Sequence, residues 1–238
     1  MIDISFFIPC LNEENNVINT INTLLSSIKS YNLKYEILVI DDNSSDNTCQ
    51  VVEDYKNQNP DINLILIKND ITKGVGTTYV DTAFVATGKY YMLVNGDNVE
   101  PEETLALILG QIGKADIIIP YFGNQDNRKL FRVVLSKIFT KLVNFFSGYN
   151  IPYYNGPVLH LRYNVMRWSP DTHGYAYQAE LISRILQEGS NFKNIQIKNN
   201  DRMKGQSTAF TVANIFAVTH SLIQIFFRRL RIILFYRK

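Results

Sequence analysis

The chain has 238 residues, of which 46% are hydrophobic and 19% charged, so it can bury the core of one large domain or two small ones. Residues 228–238 hold five basic residues and no acidic one, which leaves 19 basic and 22 acidic residues, a net charge of −3, in residues 1–227. A mildly acidic body argues against nucleic-acid binding. The two cysteines lack the spacing of metal ligands and indicate neither zinc nor a disulfide framework, which fits a reducing compartment.

The first half of the chain alternates short apolar runs with amphipathic segments. Apolar strands are predicted at residues 4–9, 35–40, 62–67, 90–94 and 116–120. Helices are predicted between them, one capped by Ser44 or Ser45 and another ended by Gly88. Apolar strands joined by helices are typical of a parallel sheet covered on both faces, in which ligands bind at the carboxyl ends of the strands. The sequence therefore predicts an α/β fold with its polar clusters at that edge.

The second half is richer in helices. A long helix is predicted at 129–148, a strand at 153–161 and a helix at 175–189. The apolar stretch 212–227 contains polar residues and falls short of the about 20 apolar residues that span a bilayer. Together with the arginines that follow, it predicts an amphipathic helix on an anionic membrane surface, although a helix docked on the core with solvated arginines fits equally. We expect one domain over residues 1–210 and a C-terminal helix over 211–238.

Two polar clusters follow predicted strands. Asp41 and Asp42, in IDDNSSDNT, could accept hydrogen bonds from a base or a ribose, although such a loop also caps helices. Lys73 lies in KGVG, where a glycine such as Gly74 permits close approach of a ligand and the lysine could meet a phosphate. A plain turn into a helix has the same pattern. Neither GxGxxG nor a Walker A loop is present, which argues against dinucleotide and P-loop enzymes.

The stretch VNGDN, residues 94–98, follows the fourth predicted strand. Asn-Gly between apolar runs is a strong hairpin signal, but a proline-led helix follows here instead of a second strand. Asp97 is therefore expected to lie at the end of a strand, where α/β enzymes place their chemistry. Gly96 is expected to let a ligand approach the backbone.

The order of these motifs is specific. P-x-L-N-E-E-x-N, a strand ending in DD-x-S-x-D-x-T, then K-G-x-G and A-x-G-K-Y-x-x-x-x-x-G-D resemble family 2 glycosyltransferases over about residues 4–120. The resemblance implies the GT-A fold, a mixed and mainly parallel sheet with helices on both faces, and transfer of a sugar from a nucleoside diphosphate donor with inversion. It implies a nucleotide-sugar-binding half over residues 1–120 and an acceptor half over 121–210. The residues that it places around the donor are Pro9, Leu11, Glu13, Asp41, Asp42, Lys73, Gly74, Asn95 and Asp97.

A second resemblance concerns the acceptor. NDRMKGQST, at 200–208, is similar to a segment of dolichyl-phosphate mannose synthases and related polyprenyl-phosphate glycosyltransferases, whose acceptor helix carries R-x-x-x-S. Arg132 and Ser136 match that pattern, and with Arg128 they are spaced by four and share one helix face. With Arg202 they could clamp a lipid phosphate, and Arg202 and Asp97 would be the catalytic residues. A solvated basic stripe is the alternative. The implied enzyme is cytoplasmic and peripheral on the membrane.

The expected metal site departs from the family pattern. Family members usually carry D-x-D where this chain has Asn95, Gly96 and Asp97, and Val99 replaces a further polar ligand. Asp97, with Asn95 assisting, is expected to bind Mg²⁺ or Mn²⁺ through the donor diphosphate, and more weakly than two carboxylates would.

Two other functions stay open. Transfer to a sugar hydroxyl would need a general base, for which Glu180 is the candidate, although it fits a solvent-facing or N-terminal helix glutamate as well. The departures at Asn95 and Val99 would also suit a non-catalytic protein that binds nucleotide-sugars.

Overall fold

A computed structural model describes residues 1–123, 130–168, 176–198 and 212–235. The strands are β1 (Ile4–Cys10), β2 (Tyr35–Asp41), β3 (Leu64–Lys68), β4 (Tyr90–Leu93), β5 (Ile117–Phe122), β6 (Leu159–Leu161) and β7 (Phe192–Ile197). The helices are α1 (Val17–Ile28), α2 (Thr48–Gln58), α3 (Val75–Val85), α4 (Glu102–Leu109), α5 (Leu130–Ser147), α6 (Arg162–Met166), α7 (Tyr177–Gln187) and α8 (Val212–Phe235).

The strands form one sheet in the order β3-β2-β1-β4-β6-β5-β7. Strands β3, β2, β1 and β4 are parallel, β6 runs antiparallel between β4 and β5, and β7 is parallel to β5. Leu159 pairs with Met92, so the chain that enters β6 runs beside the carboxyl end of β4. The predicted mixed, mainly parallel sheet is thus confirmed, and its antiparallel strand comes from the second half.

Both faces of the sheet are covered by apolar packing. On β1, Phe6 and Ile8 belong to one buried cluster and Phe7 to the other, as the alternation of side chains along a strand requires. Helix α1 buries Val17, Ile21 and Leu24, whose spacing places them on one face. The core therefore fixes the strand register, and the register sets which loops meet at the carboxyl edge.

Several predicted boundaries were wrong. Helix α2 begins at Thr48 after Asn47, and neither Ser44 nor Ser45 caps it. The Oγ atom of Ser44 instead accepts a hydrogen bond from the Asn12 amide, 2.9 Å away, in the loop after β1. Strand β7 was not predicted, because five of its six residues are exposed or half-buried and its pairing with β5 is a long-range contact.

The C-terminal helix α8 packs against α5 and α7. It buries Ser221 and Ile225 against them. Among the helices of the four described ranges, none has both the length and the apolar character needed to cross a membrane. The predicted C-terminal helix is confirmed, and one of its faces is docked on the domain.

Candidate active site

The loops that follow β1 and β2 are joined by polar side chains. The Glu13 amide donates to Thr48 Oγ1 at 2.9 Å, and the Glu14 amide donates to Asp46 Oδ2 at 3.1 Å. Leu11, at the start of the first loop, is 47% exposed at the carboxyl edge of the sheet. These bonds hold the two predicted nucleoside-binding loops in one fixed arrangement before any ligand binds.

The carboxyl group of Asp42 is committed to the loop before α3. Its Oδ1 accepts hydrogen bonds from Asn69 Nδ2 at 2.8 Å and the Lys73 amide at 3.0 Å, and its Oδ2 accepts one from the Gly74 amide at 2.8 Å. Gly74 has a φ of 83°, a left-handed conformation that a glycine adopts without strain. The Asp42 side chain therefore holds the predicted phosphate-binding loop in place by accepting hydrogen bonds from that loop's backbone amides.

Asp41 lies beside Asp42 but is bonded differently. Its Oδ1 accepts a hydrogen bond from the Ser44 amide at 3.2 Å, and the Cys49 thiol lies close to the carboxyl group, but no N–H or O–H group of the described residues donates to the buried Oδ2. A buried carboxylate oxygen without a donor is costly, so a ligand N–H or hydroxyl at this position would be favoured. Of the two aspartates, Asp41 has the capacity to bind a nucleoside directly.

The Lys73 side chain turns toward α3. Its Nζ lies 3.0 Å from Asp81 Oδ2, and the two side chains are 38% and 54% exposed. An ion pair this exposed contributes little to stability, so a phosphate could replace Asp81 as the partner of Lys73 at small cost. For Lys73 to bind the donor phosphate as predicted, its side chain would have to leave Asp81.

The loop after β4 lies against the end of β1. A Cβ added to Gly96 would come within 2.7 Å of the Pro9 carbonyl oxygen and 3.0 Å of Cys10 Sγ. Thr20 Oγ1 also donates a hydrogen bond to the Gly96 carbonyl at 3.0 Å. The glycine is therefore explained by close packing on β1, whereas the sequence suggested room for a ligand. The hairpin is excluded, because α4 follows this loop.

Glu100 is a buried carboxylate of this loop that the sequence did not single out. Its Oε2 accepts a hydrogen bond from the Asn95 amide at 3.2 Å, and its Oε1 accepts one from Asn95 Nδ2 at 2.5 Å. The pKa of Glu100 is raised to about 7, mainly because the group is buried, with the Asn95 hydrogen bonds lowering it and the nearby Asp97 raising it. The D-x-D pattern points to Val99 and not to Glu100. The position of Glu100 directly before Pro101, in the loop that leads into α4, was the signal that could have identified it.

The predicted motifs meet around Cys10, at the end of β1. Burial raises the pKa of its thiol, and the carboxylates of Glu13, Asp41, Asp46 and Asp97 raise it further. Cys10 pairs with Asp41 on β2, and a Cβ at Gly96 would lie 3.0 Å from Cys10 Sγ and 3.6 Å from Glu13 Cγ, so the loops after β1, β2 and β4 meet in one acidic site.

Helix α5, which the sequence predicts to bind the acceptor, turns Arg132 and Ser136 toward the domain. Both are half-buried, and at a spacing of four they continue the line of buried Thr140 and Val143. Arg128 and Arg202, the other two members of the predicted phosphate clamp, lie outside the described residues.

Glu180 is buried beneath α8. It is 1% exposed, and its carboxyl group lies 3.4 Å from Trp168 Nε1, from Ser221 Oγ and from Arg228 Nη2. The expectation of a solvent-facing glutamate was wrong, because α8, which follows more than 30 residues later, covers it. The prediction that Glu180 lies near the start of a helix is confirmed, since it is in the first turn of α7.

The residues around Asp97 fit a metal ion that the donor brings with it. No cluster of three histidine, cysteine or acidic side chains arranged to hold a metal occurs in the part of the chain that the structure describes. Mg²⁺ commonly binds through one or two carboxylates, with phosphate oxygens and waters completing its shell. Asp97 with the Asn95 carbonyl oxygen offers that kind of partial donor set.

Comparison with known proteins gives a family match. The model of the family described as glycosyl transferase family 2 matches residues 5–169. A dolichyl-phosphate β-glucosyltransferase from Dictyostelium discoideum is 29% identical over 99 residues, 40% of this chain and 30% of that protein. A poly-β-1,6-N-acetyl-D-glucosamine synthase from Staphylococcus epidermidis is 31% identical over 99 residues, 40% of this chain and 22% of that protein. The matched segment thus spans less than a third of either relative.

Solved structures share the fold over nearly the whole chain. A glucosyl-3-phosphoglycerate synthase from Mycobacterium tuberculosis, solved with Mn²⁺, UDP and phosphoglyceric acid, has a TM-score of 0.70 at 13% identity, covering 96% of this chain and 78% of that one. A mannosyltransferase from Pyrobaculum calidifontis, solved with GDP-mannose and Mn²⁺, has a TM-score of 0.65 at 18% identity, covering 97% and 66%. These likenesses confirm the predicted GT-A fold.

Proposed function

Because the chain belongs to glycosyl transferase family 2 and is a glycosyltransferase, we propose that it moves a sugar from a nucleoside diphosphate to a polyprenyl phosphate, with inversion. One observation carries the choice of acceptor: α5 turns Arg132 and Ser136 toward the domain and an apolar stripe away from it. A lipid phosphate needs both, since its charged head must reach the sugar while its chain stays in an apolar phase. The relative named for a dolichyl-phosphate acceptor supports this choice.

The chemistry suits the residues at the carboxyl edge. A phosphate acceptor is already an anion, so the protein has to position it in line with the sugar carbon and stabilise the departing diphosphate. Asp41 and Glu13 would orient the nucleoside, and Asp97 with Asn95 would hold Mg²⁺ or Mn²⁺, which supplies positive charge to the leaving group. Arg132 and Ser136, with Arg202, would hold the acceptor phosphate as hydrogen-bond donors.

The outer face of α5 supports a membrane partner. Its exposed apolar side chains lie opposite the line of Thr140 and Val143, at about 100° per residue. They are Leu130, Phe131, Val134, Ile138, Leu142 and Phe145, between 41% and 79% exposed. Contiguous apolar surfaces of this kind are uncommon on soluble monomers and mark interaction sites.

Helix α8 extends this surface. Its exposed apolar side chains lie opposite the buried Ser221 and Ile225, and they include Phe216, Ile223, Phe227 and Leu234. The two helices touch through Phe146 and Phe226, whose ring centroids are 5.9 Å apart.

Charge distinguishes the membrane from other apolar partners. Neither α5 nor α8 contains an aspartate or glutamate, and each carries three basic residues. A bilayer with anionic lipids matches an apolar face rimmed by arginine and lysine. We therefore assign the α5 and α8 face, together with the basic residues of 229–238, to the cytoplasmic membrane surface.

The test is transfer from a panel of labelled nucleotide-sugars to undecaprenyl or dolichyl phosphate. Lipid-linked product is expected from the wild-type protein, and Arg132→Gln should raise the KM for the lipid phosphate without changing the affinity for the nucleotide. Lys114→Gln, an exposed lysine outside the α5 and α8 face, is the control. Product on a sugar hydroxyl, and none on the lipid phosphate across the panel, would reject the proposal.

Transfer to a hydroxyl remains the second candidate, since the Staphylococcus epidermidis relative is named for a polysaccharide product. It requires a base, and Glu180 is buried and paired with Arg228, which disfavours it for that role. Glu180→Gln should leave turnover measurable if the acceptor is a phosphate, and should abolish it if Glu180 is the base. The same assay tests the non-catalytic alternative, since metal-dependent nucleotide binding without transfer to any acceptor would favour it.

A further inference from the structure

The loop that carries Asp97 contains a second acidic group, Glu100, which is bonded to Asn95. Glu100 is 6% exposed, and both its carboxylate oxygens accept hydrogen bonds from Asn95, one from the backbone amide and one from the side-chain Nδ2. With its Nδ2 held in this way, the Asn95 side chain has one remaining polar atom, the carbonyl oxygen Oδ1. That oxygen is the kind of donor that Mg²⁺ and Mn²⁺ accept.

We propose that Glu100 is a positioning residue of the metal site, which holds Asn95 with Oδ1 directed to the cation. Asn95 and Glu100 together would replace the first aspartate of D-x-D, with Asn95 as the ligand and the Glu100 carboxyl group behind it. This inference rests on the proposed function in one respect, that the carboxyl edge binds a nucleoside diphosphate with a divalent cation.

The same contact explains why position 95 is an asparagine. An aspartate there would put its carboxylate against the buried carboxylate of Glu100, within hydrogen-bond distance. Two carboxylates at that separation repel strongly unless a proton or a cation lies between them. The amide converts the repulsion into a hydrogen bond, so Asn95 and Glu100 form a matched pair.

Residues that orient a metal ligand, as Glu100 is proposed to do, affect metal affinity measurably. Groups that orient a ligand from behind typically contribute about 10- to 100-fold to metal binding. The loop is also fastened elsewhere, since Thr20 holds the Gly96 carbonyl and Gly96 packs on Pro9. Loss of the Glu100 carboxyl group is therefore expected to lower the affinity for the metal while the loop stays folded.

The experiment measures Mn²⁺ affinity by electron paramagnetic resonance, with UDP and separately with GDP, for wild type, Glu100→Gln, Asn95→Asp and the double variant. Glu100→Gln should weaken Mn²⁺ binding about 10-fold, and the double variant, which exchanges amide and carboxylate between the two positions, should return to near wild-type affinity. Asn95→Asp alone should lower the melting temperature without metal and gain more from added Mn²⁺ than the wild type does.

Glu102→Gln is the matched control, because Glu102 is an exposed acid at the start of α4, close to Glu100 in the chain. It should leave Mn²⁺ affinity unchanged. Equal Mn²⁺ affinity of wild type and Glu100→Gln, with only the melting temperature altered, would overturn the inference and leave the proposed function intact. If neither nucleotide binds to the wild type in a Mn²⁺-dependent way, the metal site of the proposed function fails and this inference fails with it.

Discussion

The first 123 residues and the helices α5 and α8 of the second half are stabilised by different forces. In residues 1–123, side chains such as Thr48, Asp46 and Asp42 bond to the backbone of neighbouring loops, and the loops at the carboxyl edge form one polar network. Helices α5 and α8 instead pack through apolar side chains, and both leave a second apolar face exposed. A fixed polar site suits a small, hydroxyl-rich donor, whereas an open apolar face suits a partner that is itself an apolar phase.

The two edges of the sheet show a similar contrast. At the amino edge, the buried Glu36 accepts hydrogen bonds from Ser5 Oγ at 2.6 Å and Thr87 Oγ1 at 3.0 Å, and a Cβ on Gly88 would clash with Ser5. At the carboxyl edge, the buried Glu100 is bonded to Asn95, a residue expected to bind metal. A buried carboxyl group thus stabilises the fold at one edge, and at the other it holds a residue that is predicted to bind metal.

The largest expected effect is at the donor site. Asp97→Asn removes the one carboxylate predicted to bind the metal directly, so transfer should fall at least about 100-fold, as for other groups that stabilise transition-state charge. Sugar transfer under saturating donor measures it. Asp54→Asn, an exposed aspartate on α2, should retain activity. If Asp97→Asn keeps more than a tenth of wild-type activity, Asp97 is not the metal ligand that the proposed function requires.

The next prediction distinguishes the structural role of Asp42 from the binding role of Asp41. Asp42→Asn puts an NH₂ group where Asp42 now accepts backbone hydrogen bonds from Lys73 and Gly74, and should lower the free energy of unfolding by about 2 kcal/mol. Urea denaturation measures it. Asp41→Asn keeps an acceptor for Ser44, and should weaken nucleotide binding more than it lowers stability. Equal losses of stability in both variants would contradict this division of roles.

A smaller effect tests the apolar face. Replacing Phe131 and Phe145 by serine removes two exposed aromatic side chains from α5, and should reduce binding to anionic vesicles about tenfold. Co-sedimentation with phosphatidylcholine vesicles, with and without phosphatidylglycerol, measures it. Phe84→Ser removes an equally exposed phenylalanine from α3 and should bind as the wild type does. If both variants bind alike, the α5 face does not contact the membrane.

The smallest effect concerns a buried group between the two halves. His160, on β6, is fully buried next to Tyr79, and burial lowers its pKa to about 3. Because the unfolded chain binds this proton near pH 6.5 and the folded chain does not, stability is lost as pH falls below about 6.5. The free energy of unfolding should drop by about 1 kcal/mol between pH 7 and about pH 5.5 from this residue. His160→Phe should lose that part of the pH slope, and an unchanged slope would contradict the assignment.

The donor half was well predicted because its signals are local. Short apolar runs located β1, β2, β4 and β5, and the order of motifs identified the family before any tertiary contact was known. The prediction was weaker where a partner is remote. Ser44 was expected to cap α2, but its hydroxyl bonds to Asn12, which lies 32 residues away.

What the sequence determined by itself was the kind of fold and the residues that gather at the carboxyl edge, since periodicity and strand ends are properties of short segments. Tertiary structure decided how each of those residues is used. Asp41 and Asp42 are identical in type and adjacent, yet only the loop folded over Asp42 distinguishes them. Glu180 became buried because α8 returns to cover it, and Glu100 gained its importance from contact with Asn95. Hydrogen-bond partners and burial depend on which segments meet, and that is set by the packed core as a whole.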